Sequence, residues 1–388
     1  MDIVISGIGL TALPEGWLNQ TQAADAADRL RAFEDVESPA KRLQLLTILY
    51  RRSGVDKRHS VLLRPGDEHP VERQTFYEAT LERSDKGPST KARMRRYETE
   101  APILAAAACR AALSESGCTA GDVRHLVTVS CSGFNAPGFD LQLYPLLGLS
   151  ENCSRTHVGF MGCHGALNGL RVATALARSH PGERVLMCAV ELCTLHHQYT
   201  DDPQEIVANS LFADGAAAAI ITSKDSSDEV PVDKVPVDEV PVDGLWQVDG
   251  QTSILLPESS EMMSWRIGDN GFQMTLSAQV PDFIRRELPA RIDGWLAKHG
   301  LQRADIGSWA VHPGGPRILS AAAEALQLSA DALRVSTGVL KECGNMSSPT
   351  ILFILKRLAA EVKTGAAQSP TVALAFGPGL VVEAALLR

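Results

Sequence analysis

This 388-residue chain lacks several features that would each have suggested a function. No apolar run is long enough to cross a bilayer, which argues against a membrane-spanning protein. Positive charge is not in excess: 37 Lys and Arg against 46 Asp and Glu leave a formal net charge of −9. A general nucleic-acid binder would need the opposite sign. The opening residues, MDIVISGIGLTALP, have no basic start and read as a first strand, not a signal peptide. The cysteines, at 109, 118, 131, 153, 163, 188, 193 and 343, contain no C-x-x-C pair. Neither a metal nor a disulfide framework is therefore expected, and a reducing cytoplasm is the expected setting.

What is present is a chain that is 45% hydrophobic, enough for a large core in two similar-sized halves. Apolar β-branched runs at 3–12, 123–129, 155–161, 184–190 and 214–221 alternate with helical stretches at 20–50, 97–116, 140–147 and 165–180. The second half repeats the style, with strand-like segments at 265–276, 308–311, 371–376 and 380–387 and helices at 281–299, 317–326 and 349–362. Residues 65–93 read as polar surface loop. Uninterrupted apolar strands between helices imply an α/β fold whose sheet is buried on both faces. The tandem VPVDKVPVDEVPVDG, with a proline every fifth residue, cannot propagate a helix or a central strand. It is expected to be an exposed connection at 230–244, separating residues 1–226 from 227–388.

The stretch VGFMGCHGALNGLR, Val158–Arg171, reads as strand, sharp turn and helix with Cys163 at the turn. A thiol there faces unpaired backbone N–H groups and the positive end of a helix dipole, which favours thiolate. The plainer alternative is a small buried cysteine. His312 in HPGGP and Asn345 in GNMSS stand at similar strand or loop ends that lead into helices, where ligand sites gather in open α/β sheets. A thiolate, an imidazole and a carboxamide suit two kinds of chemistry. One is hydrolysis by a cysteine nucleophile; the other is acyl transfer followed by carbon–carbon bond formation through an enolate.

GCHGALNGLR around Cys163, LFADGAAAAI around Phe212, HPGGPRIL at His312, GNMSSPTILFIL at Asn345 and AFGPGLVVE at Phe376 occur in this order. Together they resemble the type III polyketide synthases, the chalcone synthase-like branch of the thiolase fold, and SWRIGDNGFQMTLS resembles the bacterial members. The resemblance implies a homodimer of five-layered αβαβα subunits, each built from two similar βαβαβ halves. It also implies acyl-CoA and malonyl-CoA as substrates, decarboxylative condensation, no metal and no bound organic cofactor. Carried over by motif, Cys163 is the nucleophile, and His312 with Asn345 promotes decarboxylation. Phe212 is an aromatic gatekeeper, Met274 stands at the second gatekeeper position, and Gly377 and Pro378 shape the cavity wall with Ser347, Ser132 and Cys131. Lys57, Arg58 and Arg317 lie where relatives contact CoA. Ala136 stands where a longer side chain often crosses the dimer. His196 is either a polar cavity group or a satisfied surface-loop histidine, and His164 is expected to face outward. Rival readings are a ketosynthase III-like enzyme making one condensation, with a carrier protein as possible donor, and a non-catalytic partner subunit.

Overall fold

The computed structural model describes residues 2–11, 13–31, 39–224, 245–329 and 331–388. The expected repeat at 230–244 and the boundary at 226/227 lie outside them.

The chain opens with β1 (Asp2–Leu10), β2 (Trp17–Asn19), α1 (Gln20–Arg29), α2 (Pro39–Arg52), β3 (Lys57–His59) and the single-turn α3 (Pro70–Arg73). The long α4 (Thr90–Glu115), β4 (Val123–Ser130), α5 (Phe139–Leu147), β5 (Ser154–Gly159), α6 (Gly165–Ser179), β6 (Arg184–Leu192), α7 (Pro203–Leu211) and β7 (Asp214–Lys224) follow. After residue 245 come β8 (Trp246–Leu255), β9 (Met263–Gly268), β10 (Gly271–Leu276), α8 (Val280–Ala297), β11 (Ser308–Val311), α9 (Pro316–Leu326), α10 (Arg334–Cys343), α11 (Thr350–Thr364), β12 (Thr371–Gly377) and β13 (Val381–Leu387).

Most expected elements are present, with three instructive differences. The helical pattern at 20–50 is two helices, α1 and α2. Helix α4 starts at Thr90, inside the expected loop, because the Ser89 hydroxyl accepts from the Ala92 N–H and caps it. Strand-like 265–276 is the hairpin β9–β10, turned at Asp269-Asn270 ahead of Gly271, in a two-stranded sheet of its own.

Nine strands form one continuous order, β11-β12-β13-β8-β1-β7-β6-β4-β5. At its middle β1 and β8 share only the pairs Val4↔Gln247 and Ile5↔Trp246. The strands on either side of that narrow seam form two β layers. Helices α6 and α11 are sandwiched between them, each touching strands of both. Their apolar faces build the central core around Leu170, Ile351 and Leu355. Helix α4 covers one outer face and α8 with α9 the other, each over its own apolar cluster. The result is the αβαβα stack.

The outer helix α4 comes very close to β1. A Cβ at Gly9 would stand 2.0 Å from the Ala112 backbone nitrogen and 2.3 Å from the Ala108 carbonyl oxygen. Backbone has no rotamer through which to yield, so the helix and strand pack at this distance only with glycine there. Gly9→Ala is expected to cost about 3 kcal/mol or more. A thermal unfolding midpoint within a degree of the parent would refute this close packing.

Candidate functional site

The nucleophile candidate is held by its neighbours' backbone. Gly162, just before Cys163, has φ +68°, and a Cβ there would lie 2.5 Å from Cδ of Pro378. The turn at Cys163 and the loop after β12 therefore interlock. Cys163 sits in the short 3-10 turn that feeds α6, and it is buried. The Ser347 hydroxyl and the Asn345 amide are near enough to its Sγ to favour the thiolate. The dipole argument for a resting thiolate does not prevail here. Burial pushes the thiol up to about 11, and these two groups only partly oppose it.

Asn345 lies in the loop between α10 and α11, locked by backbone to the segment around Phe212. Its N–H donates to the Leu211 carbonyl and its carbonyl accepts from the Ala213 N–H, both at 2.9 Å. Its Oδ1 accepts the Ser347 N–H at 2.8 Å, which turns the Nδ2 donors away from that bond. His312 follows β11, with its N–H on the Leu374 carbonyl at 2.7 Å. Among the described residues neither ring nitrogen of His312 has a hydrogen-bond partner, and burial pulls the imidazole down to about 3. Cys163, His312 and Asn345 face one tight cavity of about 10 Å³, which Met274, Gly314 and Phe376 help to line. A neutral thiol beside a neutral imidazole can hand over its proton as the sulfur attacks a carbonyl. The amide adds a donor for oxygen-centred negative charge.

Two larger cavities meet this one. The first, of about 350 Å³, has the exposed Arg52 and Arg317 in its wall and shares Met274, Leu276, Gly314 and Ile318 with the thiol cavity. The second, of about 120 Å³, is bounded by Cys193, His196, Trp265 and apolar residues of α1. Phe212 and Met274, with Ala208, line both and so stand between them. A smaller space of about 30 Å³ beside the thiol is lined by Cys131, Ser347, Trp265 and Pro378.

Several expected residues are placed differently. The Ser132 hydroxyl is taken up by the protein itself: it donates to Glu191 Oε2 at 2.6 Å and accepts from the Leu192 N–H at 2.8 Å. Gly377 backs onto His164, where a Cβ would come within 2.4 Å of the ring Nε2, and so shapes the turn and not the cavity. His164 is buried, contrary to the outward-facing expectation. Its Nδ1 meets Asn168 Oδ1 at 2.7 Å, and Asn168 Nδ2 donates to Glu383 at 2.9 Å. His196 is buried and fully bonded: Nε2 donates to the Ser132 carbonyl at 2.6 Å, and Nδ1 accepts the Phe272 N–H at 3.0 Å. Its ring stacks on Phe272 at 4.2 Å and remains neutral, because burial lowers it to about 3. Cys131 borders the small space, but burial and the nearby Glu191 charge push its thiol well above the usual value.

The expected cationic trio separates. Arg317 reaches the large cavity, but Lys57 lies over the Trp17 ring at 4.1 Å. Arg58 turns inward to the Asn209 and Phe212 carbonyls. Arg52 supplies the second cation at the entrance. Sequence reasoning left it undistinguished among its basic neighbours, since helix phase alone does not say which of Arg51 and Arg52 faces the opening. Glu191 was missed altogether. It is wholly buried at the end of β6 and accepts from the Cys131 N–H and the Ser132 and Ser348 hydroxyls. A lone carboxylate ending an otherwise apolar strand is the signal that could have found it.

Comparison with known proteins agrees with this arrangement. The N-terminal domain of chalcone and stilbene synthases matches residues 3–225, and their C-terminal domain matches residues 247–388. The alpha-pyrone synthesis polyketide synthase-like Pks18 of Mycobacterium tuberculosis is 32% identical over 384 residues, spanning 99% of this chain and 90% of its own. The 1,3,6,8-tetrahydroxynaphthalene synthase of Streptomyces peucetius subsp. caesius is 33% identical over 344 residues, covering 89% and 83%. In three dimensions the chain superposes on PKS-I from the brown alga Ectocarpus siliculosus with a TM-score of 0.86 at 29% identity, covering 100% of this chain and 98% of that one. With both family domains matched in order along nearly its whole length, the chain belongs to the chalcone and stilbene synthase family: it is a type III polyketide synthase, an acyltransferase of thiolase-like fold.

Proposed function

We propose that Cys163 is the acyl-carrying nucleophile of this synthase, and that His312 and Asn345 are its catalytic partners. The observation that carries the reading is that all three side chains face one cavity, reached from a larger one with arginines in its wall. His312 takes the Cys163 proton on Nε2 as the sulfur attacks the carbonyl of an acyl-CoA, and the CoA sulfur departs as thiolate, so that proton stays on His312 until the Cys163 sulfur is released. The acyl group then rests on Cys163 as a thioester. Malonyl-CoA follows; its carboxylate leaves as carbon dioxide, and the electron pair left behind forms an enolate. The enolate oxygen accepts from Asn345 Nδ2 and from His312 Nε2–H. The enolate carbon attacks the thioester carbonyl, which joins the two units and releases the Cys163 sulfur.

Arg52 and Arg317 are suited to the phosphates of CoA. Phe212 and Met274 sit where the CoA passage meets the thiol. The second cavity, bordered by Ala23, Ala27 and Leu30 of α1, offers an apolar space into which an acyl or growing chain extends past Trp265. The eight free thiols fit a reducing cytoplasm.

The working unit we propose is a homodimer. Strand β5 is the open edge of the nine-stranded sheet, and the chain leaves it through Phe160 and Met161, which are 37% and 42% exposed beside the 51% exposed Phe134. An unpaired edge next to exposed apolar side chains, just before the nucleophile, fits a self-complementary interface.

Cys163→Ala should abolish loading; an acyl adduct persisting on that variant in intact-protein mass spectra would refute the nucleophile. Asn345→Ala should slow malonyl-CoA decarboxylation by about 10²-fold or more. His312→Gln should slow iodoacetamide alkylation of Cys163 at neutral pH by about 10²-fold. An unchanged alkylation rate would remove His312 from the pair. Ala23→Phe should reduce turnover of long acyl-CoA starters while sparing acetyl-CoA, and an equal loss for both would disconnect the second cavity from the substrate. Phe160→Glu should yield monomers by light scattering; a dimer of unchanged stability would place the interface elsewhere.

A further inference from the structure

At the far ends of the strands that carry the site, His125, His180 and Glu183 come together, with one ligand-capable atom of each within 4.8 Å of the others. His125 is on β4, His180 directly follows α6, and Glu183 directly precedes β6. Five residues of β4 separate His125 from Ser130, about 16 Å at strand rise, so the cluster is remote from the thiol cavity. The cluster uses no sulfur and joins residues from two separate segments.

The hydrogen bonds around the histidines resemble an outer shell. His180 Nδ1 lies 3.0 Å from the Ser179 hydroxyl and 3.2 Å from the Leu176 carbonyl; when it donates to that carbonyl, Nε2 bears the lone pair. His125 Nδ1 lies 2.6 Å from the Ser154 hydroxyl of β5. When it donates there, His125 also presents an Nε2 lone pair, 2.7 Å from Glu183 Oε2. In that tautomer a cation between the two atoms satisfies both; in the other, the Ser154 hydroxyl donates to Nδ1 and the Nε2–H donates to Glu183. A shared proton would need only His125 and Glu183. It gives no account of the third donor, His180, whose ring packs at 4.7 Å from that of His125. Two imidazoles and a carboxylate, each imidazole fixed through its other nitrogen, form the donor set of a four-coordinate transition-metal site completed by water.

We infer that His125, His180 and Glu183 form a binding site for a divalent transition-metal cation, with Zn²⁺ the fitting ion for a nitrogen-rich set and Mg²⁺ or Ca²⁺ disfavoured. The ion would clip the start of β4 to the turn between α6 and β6, with Ser154 tying in β5. Its role is structural, separate from the condensation chemistry.

The test uses the full-length protein, stripped with chelator and carrying Cys163→Ala so that the cavity thiol does not compete. Calorimetric titration with Zn²⁺ alone is expected to give one equivalent, with affinity at least tenfold weaker in His125→Gln and in His180→Gln. Ser154→Ala should weaken it about tenfold as an outer-shell change. Co²⁺ should give the visible bands of a tetrahedral site. In the otherwise unaltered enzyme, Zn²⁺ should raise the unfolding temperature, and His180→Gln should remove that rise while leaving turnover unchanged. His180 is exposed, so this variant remains informative even if His125→Gln does not fold. Binding that persists at full strength in His180→Gln would overturn the site. So would no binding to the folded parent, which would leave His125 and Glu183 as a proton-sharing pair.

Discussion

The Glu191 carboxylate is the constraint on which the site depends. Fully buried at the end of β6, it is raised from its usual carboxylate range by desolvation and held back by the donors that surround it. Those donors come from separate parts of the chain: the Cys131 N–H and Ser132 hydroxyl beyond β4, and the Ser348 hydroxyl in the loop of Asn345. A buried carboxylate is costly unless its lone pairs are occupied, so these segments are held wherever they satisfy it. The loop so captured carries both Asn345 and Ser347, the two groups near enough to Cys163 to favour its thiolate. One buried acid thus gathers the surroundings of the Cys163 sulfur.

A second buried acid holds the other side. Glu383 on β13 receives Arg171 and Asn168 of α6 and the Ser253 hydroxyl of β8. Through Asn168 this group fixes His164, whose ring occupies the space left by Gly377. The turn at Cys163 is therefore braced by the middle helix layer and by the loop after β12 together. Interlocking of this kind fits a buried thiol that must meet an imidazole and an amide carried on distant segments.

The layered α/β fold was legible in the sequence because uninterrupted apolar runs and helix periodicity are local signals. The three residues proposed as catalytic could be singled out because each sits in a short motif at an element end. What escaped detection depended on where side chains turn. Arg58 looks like its basic neighbours, yet it is directed inward by two carbonyls. Ser132 reads as a cavity hydroxyl until the buried Glu191 captures it. The α4 start was hidden by a polar, proline-flanked stretch in which one serine cap outweighs composition. Whether burial or a helix dipole governs a thiol is a competition between desolvation and partial charge, and only packing decides it.

The pairing of Phe212 with Asn345 has one more consequence. Two backbone hydrogen bonds join the segment of Phe212, through its neighbours Leu211 and Ala213, to Asn345. Any displacement of the first is passed by rigid peptide units to the second. Widening the passage to admit a bulkier acyl group therefore also disturbs the dipole beside the reacting carbonyl. In this scaffold, breadth of diet and speed are mechanically linked, and a lineage that alters one must readjust the other.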